Sequence, residues 1–350
     1  MWAILPKAPE ENMSLSPVLQ NLPAVSHSTP LGRAVDYMRI SVTDRCNERC
    51  LYCLPENFQK WTPRDEILTY EEILSVVEVA IARGFKNFRV TGGEPLIRKD
   101  IVPFIATLIR TSGVQTVQIT TNGTQLPLLA GPLKNVGLNR LNISLDALDA
   151  GRYSEITRGS LEPVLAGIRM AKSLGFESIK LNTVLIRHRN EDQIWPLVEF
   201  AASLQIPIRF IELMPISLTE MLTEANFLPV GEVMNLLSAK DTLEPLEPKL
   251  GHGPAKYFRL QKTGATVGFI GALTNLHFCD ACNKVRLTAD GKLRPCLGNH
   301  GEFDLKPALR PSLNRAGLQA SFDQGLAEKP PEHAFRNNWQ PQRIMTAIGG

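Results

Sequence analysis

From residue 37 onward the chain repeats one pattern: a short run in which aliphatic and polar residues alternate, then a longer stretch whose apolar positions recur every three to four residues. Six short runs, at 37–42, 88–91, 116–121, 140–146, 178–185 and 206–213, read as strands, because a period of two puts successive side chains on opposite faces of an extended chain. The stretches between them read as helices. One spans 70–83, opened by Thr69 with Glu72 three residues on as a capping box, and closed by Gly84. Another spans 162–174 and stops at Gly175. Strand, helix, strand at this spacing gives right-handed parallel βαβ units.

The two faces of the strands narrow the fold. In a parallel sheet covered on both sides, strands read as continuous aliphatic runs. Here Met38, Ile40 and Val42 alternate with Arg39 and Ser41, and Val117 and Ile119 with Gln118, Thr120 and Asn122. Leu141, Ile143 and Leu145 alternate with Asn142, Ser144 and Asp146; Ile179, Leu181 and Thr183 alternate with Lys180 and Asn182. Helices must cover the aliphatic face, so the polar face lines a space that is wet or filled by a polar ligand. An antiparallel sheet with one face in water would alternate in the same way, but the intervening helices argue against it. The expectation is an α/β fold, an incomplete (β/α)6 TIM-like barrel over 36–240, with a smaller β-rich C-terminal domain over 241–350 closing the barrel mouth. Residues 241–254 read as a linker. Residues 1–35, cut by Pro6, Pro9, Pro17, Pro23 and Pro30, read as a flexible leader. Asp290-Gly291 predicts a two-residue type I′ hairpin, whose register puts Cys296 opposite Val285.

Composition sets outer limits. Of 350 residues, 43% are hydrophobic, and the net charge is +3, so no polyanion-coating surface is implied and no nucleic-acid partner is expected. No apolar run approaches the ~18 residues of a membrane span, and a cytoplasmic protein without a membrane partner is the expectation. The six cysteines fall into two trios, Cys46, Cys50, Cys53 and Cys279, Cys282, Cys296. Disulfides suit an oxidising compartment, which nothing else in the chain suggests. Zinc usually takes four protein ligands; His277 could complete the second trio, and no histidine lies near the first. Thiolate trios also suit iron–sulfur clusters, where three cysteines leave one iron open to a further ligand.

The first trio follows the first strand directly, where parallel βα folds carry their sites. Thr91-Gly92-Gly93-Glu94-Pro95 follows the second. Cys46-x3-Cys50-x2-Cys53 with Tyr52 before the last cysteine, followed by the Gly-Gly-Glu-Pro element, resembles the radical S-adenosylmethionine superfamily. The second trio, set in Phe278-Cys279-x2-Cys282-Asn283-Lys284-Val285-Arg286 and ending at Cys296, together with a terminal Gly349-Gly350, is similar to the GTP 3′,8-cyclase family of molybdenum cofactor biosynthesis; the similarity covers 37–350.

The resemblance implies two [4Fe-4S] clusters on the six cysteines. The open iron of the first would chelate S-adenosylmethionine, contacted by Tyr52, Gly93, Ser144 and Met214. Its reductive cleavage gives a 5′-deoxyadenosyl radical, which takes the ribose C3′ hydrogen of GTP, and the C3′ radical closes onto guanine C8. GTP is implied to meet the second cluster and Arg39, Arg89, Thr120, Lys180, Arg209, Lys284, Val285 and Arg286. Arg286, Lys284, Gly349 and Gly350 are implied to support catalysis, a frayed tail being the alternative for the diglycine. Lys284 stands where the family usually has arginine, keeping charge but losing the two-pronged donor geometry. Implied partners are a flavodoxin-like electron donor or equivalent and cyclic pyranopterin monophosphate synthase, which takes the product; a homodimer is left open.

The cations also stand on physical grounds. A buried unpaired ion costs several kcal/mol, and charge-assisted hydrogen bonds to phosphate return about 1.5–3 kcal/mol each. Internal salt bridges to Glu94, Asp146 or Glu212 are the alternative. The rival functions are a peptide-modifying radical enzyme with an auxiliary cluster and a zinc-stapled nucleic-acid-binding protein. Purified without oxygen, the iron–sulfur protein is expected to be brown; a colourless protein holding zinc would reverse the reading.

Overall fold

The computed structural model describes residues 32, 34–55, 57–247, 253–275, 277–337 and 339–349. Most of the expected leader, and Gly350, lie outside the described residues. Six parallel strands run in chain order: β1 (Tyr37–Ser41), β2 (Asn87–Thr91), β3 (Thr116–Thr121), β4 (Arg140–Ser144), β5 (Ser178–Leu185) and β6 (Ile208–Glu212). They are joined by α1 (Tyr70–Ala82), α2 (Ile101–Arg110), α3 (Leu126–Asn135), α4 (Ala150–Thr157), α5 (Leu161–Ser173) and α6 (Ile194–Ser203). The expected strands at 37–42, 140–146 and 206–213 extend past the observed ends, where the chain turns into loops. The capping box forms as expected: Thr69 Oγ1 accepts from the Glu72 N–H at 3.2 Å, and the Glu72 carboxylate accepts from the Thr69 N–H at 2.7 Å.

The aliphatic faces pack together under these helices, with Met38, Ile40, Phe88, Val90, Ile119, Ile143, Leu181, Ile208 and Phe210 buried, each contributing roughly 1.5–3 kcal/mol through lost contact with water. The barrel is incomplete. After α7 (Val230–Ser238) come β7 (Leu243–Pro245), β8 (Lys256–Leu260), β9 (Thr266–Ile270), β10 (Lys284–Leu287), β11 (Lys292–Arg294) and β12 (Phe303–Asp304), then α8 (Lys306–Leu309) and α9 (Arg315–Ala327). β9 pairs in parallel with β6, and β10 in parallel with β1, so one sheet runs β12-β11-β10-β1-β2-β3-β4-β5-β6-β9-β8-β7. Each free edge of the six-stranded unit is thereby covered, which removes the unpaired backbone groups an open edge presents. Among the described residues no helix is long and apolar enough to cross a membrane.

Two expectations are corrected. Residues 241–254 are not a featureless linker, because Leu243–Pro245 pairs with β8 and the buried Asp241 carboxylate accepts the backbone N–H groups of Thr242, Lys262 and Thr263; residues 248–252 lie outside the described set. The hairpin at Asp290-Gly291 is not a two-residue type I′ turn. A type I′ turn needs positive φ at both central residues, and of this pair only Gly291, at φ +86°, has it. Thr288 and Lys292 instead flank a three-residue loop in which the Thr288 N–H donates to the Lys292 carbonyl at 2.9 Å. Arg286 therefore faces Arg294, and this register, continued outward, sets Cys296 opposite Lys284 rather than Val285.

Candidate functional site

A cavity of about 290 Å³ opens on the polar face of the sheet, lined by side chains from β1 to β6 and from the cysteine-bearing segment around β10 and β11. Strand alternation supplies its walls: Arg39, Arg89, Thr120, Ser144, Asn182 and Arg209 point in while their neighbours enter the aliphatic core. Arg209, 6% exposed, donates to Asn182 Oδ1 at 2.8 Å and to Asn142 Oδ1 at 2.5 Å. Arg89 donates to Gln118 at 3.1 Å and lies over the Tyr37 ring, which also receives the Lys284 ammonium at 5.3 Å. Lys180 sits over the Tyr257 ring at 5.6 Å. Arg39, Arg89, Arg209 and Arg286 take part in no ion pair among the described residues.

The carboxylates expected as alternative partners are engaged elsewhere. Glu94 accepts from Thr121 Oγ1 and the Asn122 N–H, both at 2.7 Å, and from the Leu96 N–H. Asp146 accepts from the Tyr52 hydroxyl at 2.7 Å and the Val184 N–H. Glu212 accepts from the backbone of Val230, Leu273 and Thr274. Burial and mutual repulsion act on the cations accordingly: burial, then Arg286 and Arg89, hold Arg39 well below the usual guanidinium range, and burial pulls Lys180 and Lys284 down to about 8. Arg39 Nε, Arg89 Nε and Thr120 Oγ1 are buried with no hydrogen-bond partner among the described residues. Orphaned donors in an enclosed basic space fit a polyanionic ligand.

The other end of the site is acidic. The loop Cys46–Leu54 follows β1, folded by a Cys53 N–H to Cys50 carbonyl bond of 2.9 Å and fastened to α4 by Arg49 N–H to Thr157 O and Leu51 N–H to Ile156 O, each 2.9 Å. Within it Glu48, which sequence reading passed over although it lies between two of the cysteines, is buried and accepts from the Tyr153 hydroxyl at 2.8 Å. Burial pushes Glu48 and Glu94 up to about 7 and Asp146 to about 6. A buried acidic group unpaired by a cation favours a cationic ligand beside it. Gly93 holds this end by close approach: a Cβ there would lie 2.2 Å from the Arg45 carbonyl oxygen.

The C-terminal tail enters between the two ends. Ile344 and Ala347 pack with Leu54, Phe58 and Trp61 of the first cysteine loop. Gly349, at φ +78°, sits against Ser41 and Thr91, and its carbonyl accepts from Arg286 at 2.7 Å. The described tail is thus seated, not frayed. Of the expected site residues, Tyr52, Ser144, Met214, Arg39, Arg89, Thr120, Arg209, Lys284, Arg286 and the second trio line the cavity. Gly93, Lys180, Gly349 and the first trio stand outside its lining. Val285 is fully buried in the aliphatic core, so only its backbone is available to a ligand.

Residues 40–201 match the Radical SAM superfamily, and residues 206–335 match the Molybdenum Cofactor Synthesis C family. A GTP 3′,8-cyclase of Pelotomaculum thermopropionicum is 44% identical over 320 residues, covering 91% of this chain and 98% of that protein. The chain belongs to the GTP 3′,8-cyclase family. A second relative, GTP 3′,8-cyclase 2 of Pseudomonas aeruginosa, is 42% identical over 92% of this chain and 98% of its own. Among solved structures, Streptococcus suis SuiB bound to S-adenosylmethionine aligns with a TM-score of 0.58 at 13% identity, over 91% of this chain and 79% of that one. That likeness concerns the fold.

The cysteines fit the iron–sulfur chemistry of the superfamily. All six are free thiols, and burial pushes Cys46 up to about 12 and Cys50, Cys53 and Cys296 upward as well. Such thiols ionise only when a bound cation shares the charge. His277, the candidate fourth ligand of the zinc alternative, has an exposed ring whose Nδ1 pairs with Asp280 at 2.9 Å. Among the described residues no three His, Cys, Asp or Glu side chains are gathered to hold a single ion.

Glu94 generates a pH prediction for the metal-free chain. Its carboxyl in the fold keeps a proton up to about pH 7, while the unfolded group releases it near 4.5. The folded state binds more protons across that window, so stability falls as pH rises through it, by up to about 3 kcal/mol for this group. Glu94→Gln is expected to flatten the decline in urea midpoint between pH 5 and pH 7.5; an unchanged decline would mean that Glu94 is already ionised in the fold.

Proposed function

We propose that this chain is a radical S-adenosylmethionine lyase that converts GTP into (8S)-3′,8-cyclo-7,8-dihydroguanosine 5′-triphosphate for molybdenum cofactor biosynthesis. The observation that carries this reading is one cavity whose arginine-rich wall adjoins the second cysteine trio and whose wall at Tyr52 carries the Asp146 carboxylate, with Glu48 and Glu94 buried nearby around the first trio. Two ligands of opposite charge match those two walls: the sulfonium and ammonium of S-adenosylmethionine, and the triphosphate of GTP.

Cys46, Cys50 and Cys53 would hold one [4Fe-4S] cluster, and Cys279, Cys282 and Cys296 a second. When bound, the first cluster would supply the electron for cleaving S-adenosylmethionine and the second would offer the purine a place to bind. Tyr52, with its hydroxyl held by Asp146, and Ser144 and Met214 on the cavity wall orient the S-adenosylmethionine, and Gly93, packed against the Arg45 backbone where no side chain fits, would offer its backbone to the amino group. Arg39, Arg89, Lys180 and Arg209 bind the phosphates, with Arg209 already aimed by Asn142 and Asn182, so little ordering remains when the ligand arrives. Thr120 offers a hydroxyl to the ribose–phosphate region, and the Val285 backbone with Lys284 meets the base beside the second trio. Arg286 donates to the Gly349 carbonyl and so couples the tail to the GTP end; Gly349 then closes the space where the ribose meets the adenosyl group and excludes water from it, and the family resemblance assigns Gly350 a share in catalysis.

The unbridged thiols suit a reducing cytoplasm. An electron donor of the flavodoxin type or its equivalent would reduce the first cluster, and the product would pass to cyclic pyranopterin monophosphate synthase. A homodimer is compatible with this scheme.

Anaerobically reconstituted protein given dithionite, S-adenosylmethionine and GTP deuterated at C3′ is expected to release deuterated 5′-deoxyadenosine together with a cyclised GTP isomer, both read by mass spectrometry. Unlabelled 5′-deoxyadenosine beside intact GTP would sink the substrate assignment. Arg209→Met should raise the KM for GTP about 10- to 100-fold, the equivalent of one lost charge-assisted phosphate contact. It should leave the KM for S-adenosylmethionine unchanged; equal effects on both would mean that Arg209 serves the fold rather than the phosphates.

A further inference from the structure

Lys329 is a buried ammonium, 5% exposed, with no carboxylate paired to it among the described residues. Its Nζ donates at 2.8 Å to the Lys284 carbonyl and at 2.8 Å to the Pro295 carbonyl, and it reaches Cys282 Sγ at 3.7 Å. An ammonium has three donors and no acceptor, so its capacity is filled by two backbone oxygens and one thiol. The placement is not incidental. Lys284 and Pro295 lie on the two arms of the β10–β11 hairpin just beyond the Arg286–Arg294 pair that ends the ladder, and the two arms lead directly to Cys282 and Cys296. α9 delivers the lysine: the helix ends at Ala327, the Lys329 N–H closes its last turn on the Leu326 carbonyl, and Pro330-Pro331 prevents continuation. α9 is itself fixed to α1 by the two-pronged Arg83–Asp323 pair at 2.8 Å.

Taking a lysine out of water without a carboxylate costs several kcal/mol, and two carbonyl bonds recover only part of that. The remaining partner is the sulfur.

We propose that Lys329 is the positioning residue of the second trio, pinning the hairpin arms so that the sulfurs share one space and compensating the negative charge of the iron–sulfur cluster they hold. This rests on the two-cluster reading above, and it adds that the cluster's potential and retention depend on a cation remote in sequence and absent from the cysteine motif. A positive charge beside a cluster favours its reduced, more negative state, so removing the charge lowers the midpoint potential.

The test uses the full chain carrying Cys46→Ala, Cys50→Ala and Cys53→Ala, so that only the second cluster forms. Iron and sulfide per chain and an EPR-monitored redox titration are then compared for Lys329, Lys329→Met and Lys329→Arg. For Lys329→Met we expect a tenfold or greater shift in the reduced-to-oxidised ratio at fixed potential, about 59 mV towards lower potential for one electron, with iron lost several-fold faster to a chelator. Lys329→Arg, which keeps the charge, should retain most of the native potential. Should the methionine variant not fold, as judged by circular dichroism of the metal-free chain, the comparison rests on Lys329→Arg against Lys329→Gln. A neutral variant with native iron content and native potential overturns the proposal, and so does an arginine variant that folds, binds four irons and shifts as far as the neutral one. No iron in the chain with Lys329 intact overturns the two-cluster reading itself. GTP turnover does not enter these readouts, so a wrong substrate assignment would leave the result standing.

Discussion

Arg39, Arg89, Arg209 and Arg286 line one cavity in which, among the described residues, no carboxylate pairs with them. Mutual repulsion and burial both act against this arrangement, and the rest of the sheet is organised to withstand it. Neutral amides do the holding: Gln118 takes Arg89, and Asn142 and Asn182 take Arg209. The Tyr37 ring lies between the Arg89 and Lys284 charges and offers its face to each. The nearby carboxylates Glu94, Asp146 and Glu212 are committed to backbone and hydroxyl donors, which keeps them from collapsing onto the arginines and closing the cavity. A frame that leaves its cations without counter-charge is less stable than one that pairs them, and an anionic ligand recovers the difference on binding.

Such a frame has to be stiff, and its stiffness comes from the continuity of the sheet. β9 and β10 attach to opposite edges of the six-stranded unit, so the segment bearing the second cysteine trio is bonded to β1, the same strand that leads into the first trio. Tail and loop complete the connection, since Ile344 and Ala347 cover the first cysteine loop while Gly349 accepts from Arg286. The two ends of the cavity are thus fixed relative to each other through backbone hydrogen bonds. That suits chemistry in which a reactive group generated at one end must meet a ligand held at the other within a few tenths of an ångström.

Much of this was legible in the chain. Alternation along β3 and β5 identified both the strands and the face that lines the cavity, because a half-covered sheet has no other way to sort its side chains. Thr69 with Glu72 marked the start of α1, since a capping box depends only on neighbours three residues apart. The cysteine spacings and Gly92-Gly93-Glu94 marked the chemistry, as ligands for one cluster and a close backbone approach must be supplied locally. Arginines at mid-strand marked the basic wall of the cavity.

Other features depend on partners distant in sequence. Whether Glu94 or Asp146 would neutralise the arginines could not be read from the chain, because that choice is made by donors at Thr121, Asn122, Val184 and Tyr52 that come together only in the fold. The same holds for the pairing of β10 with β1, for the one-residue shift in the hairpin at Gly291, where the backbone conformation of Asp290 decides the loop, and for Lys329, which reaches the hairpin from the end of α9. The sequence by itself determined the strands, the polar face and the cysteine trios, since these follow from local periodicity and spacing. Tertiary structure alone decided which charges remain unpaired and which lysine meets the Cys282 sulfur, because burial and electrostatic balance are properties of groups brought together from across the chain.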